Sequence, residues 1–241
     1  MNVAKSSEER NVARRPIRPR SIEYYEPPME EALAANKVAW EADGRQAAVL
    51  IHDLQNYWIE PFERPEPLID RISWLRSVAH QTGMPVVFTG ARPSLSDVDR
   101  GFATEMFGPG IGRNPGALAS DTQIIDALAP RTGDHIIAKL RYSAFFRTHL
   151  DQLLRSRGIT QLLICGVYAH HGCMISAIDA YMHDYQVFFV TDALGDDDYE
   201  SHLSATDYVA QVCGMITSTD ILAGQLQPLA RYRALHRRST D

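Results

Sequence analysis

Cysteine is scarce in this chain. Three residues in 241 (Cys165, Cys173 and Cys213) cannot build a disulfide framework, and no two of them form a CxxC motif. Such sparing use suits a reducing compartment, so the cytoplasm is the expected location. No stretch of about 18 apolar residues occurs, which leaves nothing to cross a membrane as a helix. Met1–Arg20 lacks the apolar stretch of a secretory leader; it is polar and basic, with no apolar period, and reads as a disordered basic tail. There is no internal repeat and no low-complexity tract. Charge of one sign does not dominate either, at a formal −6 from 24 basic and 30 acidic residues. The two ends are basic and the body between them acidic. Neither end carries a nucleic-acid-binding motif, so both read as solubilising tails, and no nucleic-acid or membrane partner is expected.

What is present is enough apolar material to fold. Hydrophobic residues make up 45% of the chain and charged residues 22%, the balance of a globular protein and not of a disordered one. Short apolar runs alternate with amphipathic stretches. The runs Ala47–Ile51, Pro85–Thr89, His135–Ala138, Leu162–Val167, Val187–Val190 and Met215–Thr217 have strand character. Helical stretches are expected over Glu30–Trp40, Leu68–Gln81, Asp97–Met106, Asp121–Leu128, Ala144–Arg157, Gly172–His183 and Asp198–Gln211. Continuously apolar strands separated by helices predict an α/β three-layer sandwich, a parallel doubly wound sheet covered on both faces. One domain is expected over residues 21–222, with a basic tail over 223–241. Arg92–Ala119, rich in Gly and Pro, reads as an ordered loop beside a site.

Ligands of such sheets sit beyond the carboxyl ends of the strands, and three strand ends here carry unusual residues. His52-Asp53-Leu54-Gln55 places a carboxylate at the end of a buried strand, which is costly without a partner or a task; Asp53 is either a cap for the next helix or a functional acid. Lys139 ends the third run and either snorkels to water or reaches Asp53. Ser143 beyond it suits an N-cap. Cys165-Gly166-Val167-Tyr168-Ala169-His170-His171-Gly172-Cys173-Met174 runs from strand through a tight turn into a helix, whose first N–H groups can bind a carboxylate. The adjacent His170 and His171 could bind a metal, but neighbours in sequence usually point apart, so at least one of them is expected to have a structural or hydrogen-bonding role.

Taken together, these segments resemble the isochorismatase-like hydrolase family. His-Asp-Leu-Gln-Asn-Tyr-Trp (52–58), Phe-Gly-Pro-Gly (107–110), Lys-Leu-Arg-Tyr-Ser-Ala-Phe-Phe (139–146) and Gly-Val-Tyr-Ala-His-His-Gly-Cys-Met (166–174) follow the family's order, continued by Asp179-Ala180-Tyr181 and Val190-Thr191-Asp192-Ala193. The likeness spans about Ser21 to Leu222 and implies about six parallel strands. Within the family, one branch uses an Asp–Lys–Cys triad to cleave amides through a thioester. The other has Gly at the nucleophile position and hydrolyses the vinyl ether of isochorismate or its 2-amino analogue without a covalent intermediate.

Here Gly172 falls at the nucleophile position, which resembles the ether-cleaving branch and implies a small residue leaving room for substrate and water. Cys173, one residue on, is rotated by about 100° and should face the packing side of the helix. The resemblance implies a catalytic set of Asp53, Lys139 and Gly172. It also implies substrate contacts from Arg100, Tyr168, Arg92, Gln55, Phe62 and Tyr57, with Trp58 beside them, and a cis peptide at Val167-Tyr168. The sequence departs from the pattern after the second strand, where Thr89-Gly90-Ala91-Arg92-Pro93 has no counterpart to the family's Gln, and Arg92 is the nearest polar replacement. No histidine lies between Asp53 and His80, so the metal site of some amidase relatives is not expected, and no cofactor is implied. A small dianionic substrate and a homodimer are. The rivals are a cysteine amidase using Cys173, and a degenerate member that binds an anionic metabolite without turnover.

Overall fold

The computed structural model describes residues 21–237; the expected N-terminal tail, residues 1–20, lies outside them. Six strands form the sheet: β1 (Ala47–His52), β2 (Val86–Ala91), β3 (His135–Lys139), β4 (Gln161–Val167), β5 (Gln186–Gly195) and β6 (Met215–Thr217). They lie in the order β3-β2-β1-β4-β5-β6, and every neighbouring pair is parallel. The chain winds outward from β1 in one direction and from β4 in the other, so the switch point falls between these two central strands.

Alternate residues of β1 feed two separate cores. Ala47, Val49 and Ile51 join one with Leu68, Ile72 and Leu75, while Ala48 and Leu50 join the other with Leu150, Leu154, Ala177 and Val209. Burial on both faces is why the middles of the central strands are continuously apolar, with the polar residues gathered at the strand ends. The helices are α1 (Met29–Ala34), α2 (Asn56–Ile59), α3 (Glu66–Thr82), α4 (Asp97–Arg100), α5 (Ala103–Phe107), α6 (Leu150–Arg155), α7 (Met174–Met182), α8 (Tyr199–Val212) and α9 (Thr219–Arg237). Helices α3 and α9 cover the first face; α1, α6, α7 and α8 cover the second.

Several expected helices are shorter than their sequence pattern. Asp97–Met106 is two short helices parted at Gly101, whose φ of +63° ends the first. Asp121–Leu128 is a pair of 3-10 turns, Ala119–Thr122 and Asp126–Leu128. Of Ala144–Arg157 only α6 is helical; Ser143 accepts from the Phe145 N–H, Thr148 donates to the Ala144 carbonyl, and Arg147 takes φ +55°. Side chains that bond nearby backbone compete with a helix in this way. At the other end, α9 runs across the boundary expected at Leu222, and Leu226 is fully buried in the first core.

Candidate active site

Asp53 follows the last residue of β1 in the left-handed region, φ +52°, a conformation that Asp tolerates better than most side chains. Its backbone N–H still bonds the Thr89 carbonyl of β2. Lys139 ends β3, two strand spacings away, roughly 9–10 Å. A long lysine and a short aspartate together bridge that gap: Nζ of Lys139 lies 2.7 Å from Oδ2 of Asp53. The strand between them supplies a third member, Thr89, whose hydroxyl donates to Oδ1 of Asp53 at 2.9 Å. Lys139 Nζ also donates to the Arg141 carbonyl at 3.1 Å. Asp53 is 8% exposed and Lys139 4%. Burial is the largest single influence and works to raise the Asp53 pKa, but the Lys139 charge, the neighbouring His52 and the hydrogen bonds from Lys139 and Thr89 together outweigh it and hold the carboxyl below its ordinary range. Thr89 escaped the sequence reading; its one signal is a hydroxyl at the end of an otherwise apolar strand.

The turn after β4 forms the wall beside this pair. Val167-Tyr168 is a cis peptide, as the resemblance implies. Tyr168 is buried, donates its hydroxyl to the Trp58 carbonyl at 2.9 Å, and stacks on Phe62 with ring centres 5.8 Å apart. Tyr57 is buried against Trp58, edge to face. A single turn of π-helix, Ala169–Cys173, leads into α7. Cys173 is fully buried in the second core, and burial pushes its thiol far above the usual range, as the rotation argument expects of a packing residue. His170 has a hydrogen-bonding role: Nδ1 lies 2.5 Å from Oδ1 of the fully buried Asp196, whose other oxygen accepts the His170 backbone N–H. Asp197 lies close enough that these three side chains could hold a metal ion, but the Asp196 carboxylate already accepts three hydrogen bonds, from both His170 groups and the Asp197 N–H.

Gly172 requires a correction. A Cβ at this position would lie 2.1 Å from Cε1 of His52, so the direction in which a side chain would project is filled by protein. The small residue does not open that volume to a ligand; it makes room for the His52 ring.

Cations gather on the loop side. Arg100 donates from Nε to the Gly108 carbonyl at 3.2 Å, and its guanidinium carbon lies 2.8 Å from where a Cβ on Gly110 would stand. Gly110 has φ +87°, so the Phe-Gly-Pro-Gly segment is a backbone surface shaped for the Arg100 plane. Burial, and then the neighbouring charge of Arg141, lower the Arg100 pKa. Among the described residues neither guanidinium has a carboxylate partner. Arg141 was not singled out from sequence, although it sits inside the Lys-Leu-Arg-Tyr segment. Two expected substrate contacts are committed elsewhere. Arg92 is 3.6 Å from Asp99 and bonds the Pro93 carbonyl. The Gln55 amide ties the β2 end to the 119–122 turn, donating to the Ala91 and Thr122 carbonyls and accepting from the Ala91 N–H, which makes it scaffold.

Fold and site together define a doubly wound α/β protein with a buried acid–ammonium pair at the carboxyl ends of its strands, reaching from β1 across β2 to β3. The isochorismatase-domain family model matches residues 47–221, and the chain belongs to the isochorismatase family. It is 40% identical to the phenazine biosynthesis protein PhzD of Pseudomonas fluorescens over 204 residues, covering 83% of this chain and 96% of that one. It is 38% identical to an isochorismatase of Bacillus subtilis over 211 residues, covering 86% of this chain and 66% of that longer one. Among solved structures, a cysteine hydrolase from Pseudomonas syringae superposes with a TM-score of 0.72 at 22% identity, over 80% of this chain and 97% of that one, a likeness of fold alone.

Proposed function

We propose that the protein is a hydrolase of the isochorismatase type, cleaving the enolpyruvyl ether of isochorismate or its 2-amino-2-deoxy analogue. The observation that carries this reading is the Asp53–Lys139 pair, buried and 2.7 Å apart, beside a nucleophile position that holds glycine while the nearest thiol, Cys173, is sealed in the core.

The chemistry needs an acid and a water molecule. Asp53 gives its proton to the terminal CH2 carbon of the CH2=C(COO⁻)–O group, forming an oxocarbenium ion. Water adds to the carboxylate-bearing carbon, now the oxocarbenium centre bonded to the ether oxygen, and its proton returns to Asp53. The hemiketal then collapses to pyruvate and a ring alcohol, a dihydro-hydroxybenzoate or a dihydro-hydroxyanthranilate. The substrate is a dianion or, with the amine, carries two carboxylates beside an ammonium. Arg100 and Arg141, without a carboxylate partner among the described residues, can receive a substrate carboxylate, and Tyr168, Phe62 and Tyr57 form the aromatic wall. In the free protein Asp53 is held ionised by Lys139. Substrate carboxylates draw the ammonium toward themselves and raise the Asp53 pKa, so binding takes up a proton.

Products of this kind feed siderophore or phenazine synthesis, and relatives are named for phenazine biosynthesis and enterobactin synthesis. A cytoplasmic setting is supported by three free, buried cysteines. A homodimer is supported by the apolar side chains of Leu95, Val98, Phe102 and Met106, each more than 70% exposed. The deciding experiment is a coupled pyruvate assay with lactate dehydrogenase, offering isochorismate and its amino analogue side by side. Pyruvate release from either supports the reading. Release from neither, or undiminished release by Asp53→Asn, overturns it.

A further inference from the structure

We infer that His52 sets the reaction class of this site, because its imidazole occupies the volume into which a nucleophilic side chain at position 172 would have to project. The inference deepens the ether-hydrolase reading and rests on it for the identity of the reaction.

The overlap is severe. An ideal Cβ on Gly172 falls 2.1 Å from Cε1 of His52 and 2.9 Å from each ring nitrogen, all well inside any real carbon contact. The ring has nowhere to retreat. His52 is 0% exposed; Nδ1 lies 3.2 Å from the Val167 carbonyl, and Nε2 lies 3.2 Å from the Tyr142 carbonyl and 3.3 Å from the Ser176 hydroxyl. Ser176 accepts the Ala144 N–H at 2.9 Å. A neutral ring has a single N–H, which donates to the Val167 carbonyl from Nδ1 or to the Tyr142 carbonyl from Nε2. Its backbone is pinned as well: at Gly166, φ +118°, a Cβ would lie 2.2 Å from the His52 carbonyl oxygen. Two glycines on the β4 side thus hold one histidine at the end of β1, with Nδ1 3.5 Å from Oδ2 of Asp53.

The consequence is that the glycine and the histidine act as a unit. A thiol at 172 cannot simply be added to the Asp53–Lys139 pair, because its place is already taken by a neutral ring that has donated its one proton elsewhere. The acid is left beside a wall that offers no nucleophile, and solvent is the attacking group that remains. His52 is a specificity-determining residue here, acting by exclusion.

A double-mutant cycle tests this. Gly172→Ala in the natural background should lower Tm by about 5 °C or more through overpacking. In a His52→Ala background the same change should cost nothing or restore part of the loss. The reactive readout uses Gly172→Cys with and without His52→Ala, treated with iodoacetamide and mapped by mass spectrometry. The thiol at 172 should be alkylated at least tenfold faster in the double variant. Should His52→Ala fail to fold, His52→Val and His52→Gln carry the same comparison. Equal Tm losses for Gly172→Ala in both backgrounds, or a Gly172→Cys single variant with the natural Tm that labels as fast as the double, would overturn the inference. Neither readout uses turnover, so a failed pyruvate assay sinks the ether-hydrolase reading and leaves the exclusion of a side chain at 172 by His52 standing, whereas failure of the cycle sinks the exclusion and leaves the ether-hydrolase reading.

Discussion

Two fully buried histidines make this fold sensitive to mild acid. His52 packs under the site, and His202 of α8 is 0% exposed, touching the Tyr25 hydroxyl at 3.1 Å and Thr191 at 3.4 Å. Burial is the leading cause that pushes each pKa down from 6.5 to about 4. The sign follows from linkage: the unfolded chain protonates these rings near pH 6.5 while the folded one resists to about pH 4, so unfolding takes up protons and stability falls as pH drops between those values. From pH 7 to pH 5 each histidine costs about 2 kcal/mol, and the pair about 4, out of a typical total of 5–15 kcal/mol. Near pH 5 these two rings should contribute a slope of about 2–3 kcal/mol per pH unit, nearly one proton each. Opposing this, His170 is raised above 6.5 by its hydrogen bond to Asp196, so its contribution is complete below pH 6.5 and is lost only as pH rises through the higher value. Asp53, held low, protects the fold down to its depressed pKa and adds nothing to the loss between pH 7 and 5. Urea titrations at pH 7, 6 and 5 measure the slope, and His202→Gln should remove about half of it. A stability flat from pH 7 to pH 5, or a slope unchanged by His202→Gln, would refute the reasoning.

Other consequences are more local. Asp53→Asn should lower kcat by about 10²–10⁴, the loss of a positioned acid, as measured by pyruvate release, and should also lower Tm, because it leaves the buried Lys139 ammonium without its carboxylate. Binding of substrate to the unmodified protein should take up protons, seen in calorimetry as a heat that scales with buffer ionisation enthalpy; a buffer-independent heat would contradict the proposed shift of Asp53. Lys139→Met leaves a buried carboxylate without its ammonium, so unfolding free energy at pH 7 should fall by about 3–5 kcal/mol and recover as pH drops through the now raised Asp53 pKa. Arg141→Gln should raise KM by about 10–100-fold with a smaller effect on kcat, the loss of one charge-assisted hydrogen bond. Cys173→Ala should keep kcat, and the native Cys173 should resist iodoacetamide; loss of turnover on alkylation would revive the amidase reading.

The strand pattern was readable because the central strands β1 and β4 are buried on both faces, whereas the edge strand β3 is half exposed. Ala47–Ile51 and Met215–Ile216 are apolar at every position, and such runs stand out against amphipathic neighbours. The helices were less legible. Asp97–Phe107 carries helix-forming residues, yet Gly101 breaks it; Ala144–Thr148 is diverted by hydroxyls that bond nearby backbone. Periodicity registers composition, whereas these breaks depend on a single dihedral or a single hydrogen bond.

The sequence alone decided the order of elements, the family motifs and the presence of Asp53 and Lys139 at strand ends, because those depend on residue type and local spacing. Tertiary structure decided which groups meet. Lys139 reaches Asp53 only because β2 lies between their strands, which also brings in Thr89. Gln55 and Arg92 are drawn off by the Ala91 and Thr122 backbone and by Asp99, whereas Arg141 keeps its guanidinium beside Arg100. The pairing of Gly172 with His52, 120 positions apart, was beyond any local reading, since steric exclusion acts through space and leaves no periodic trace along the chain.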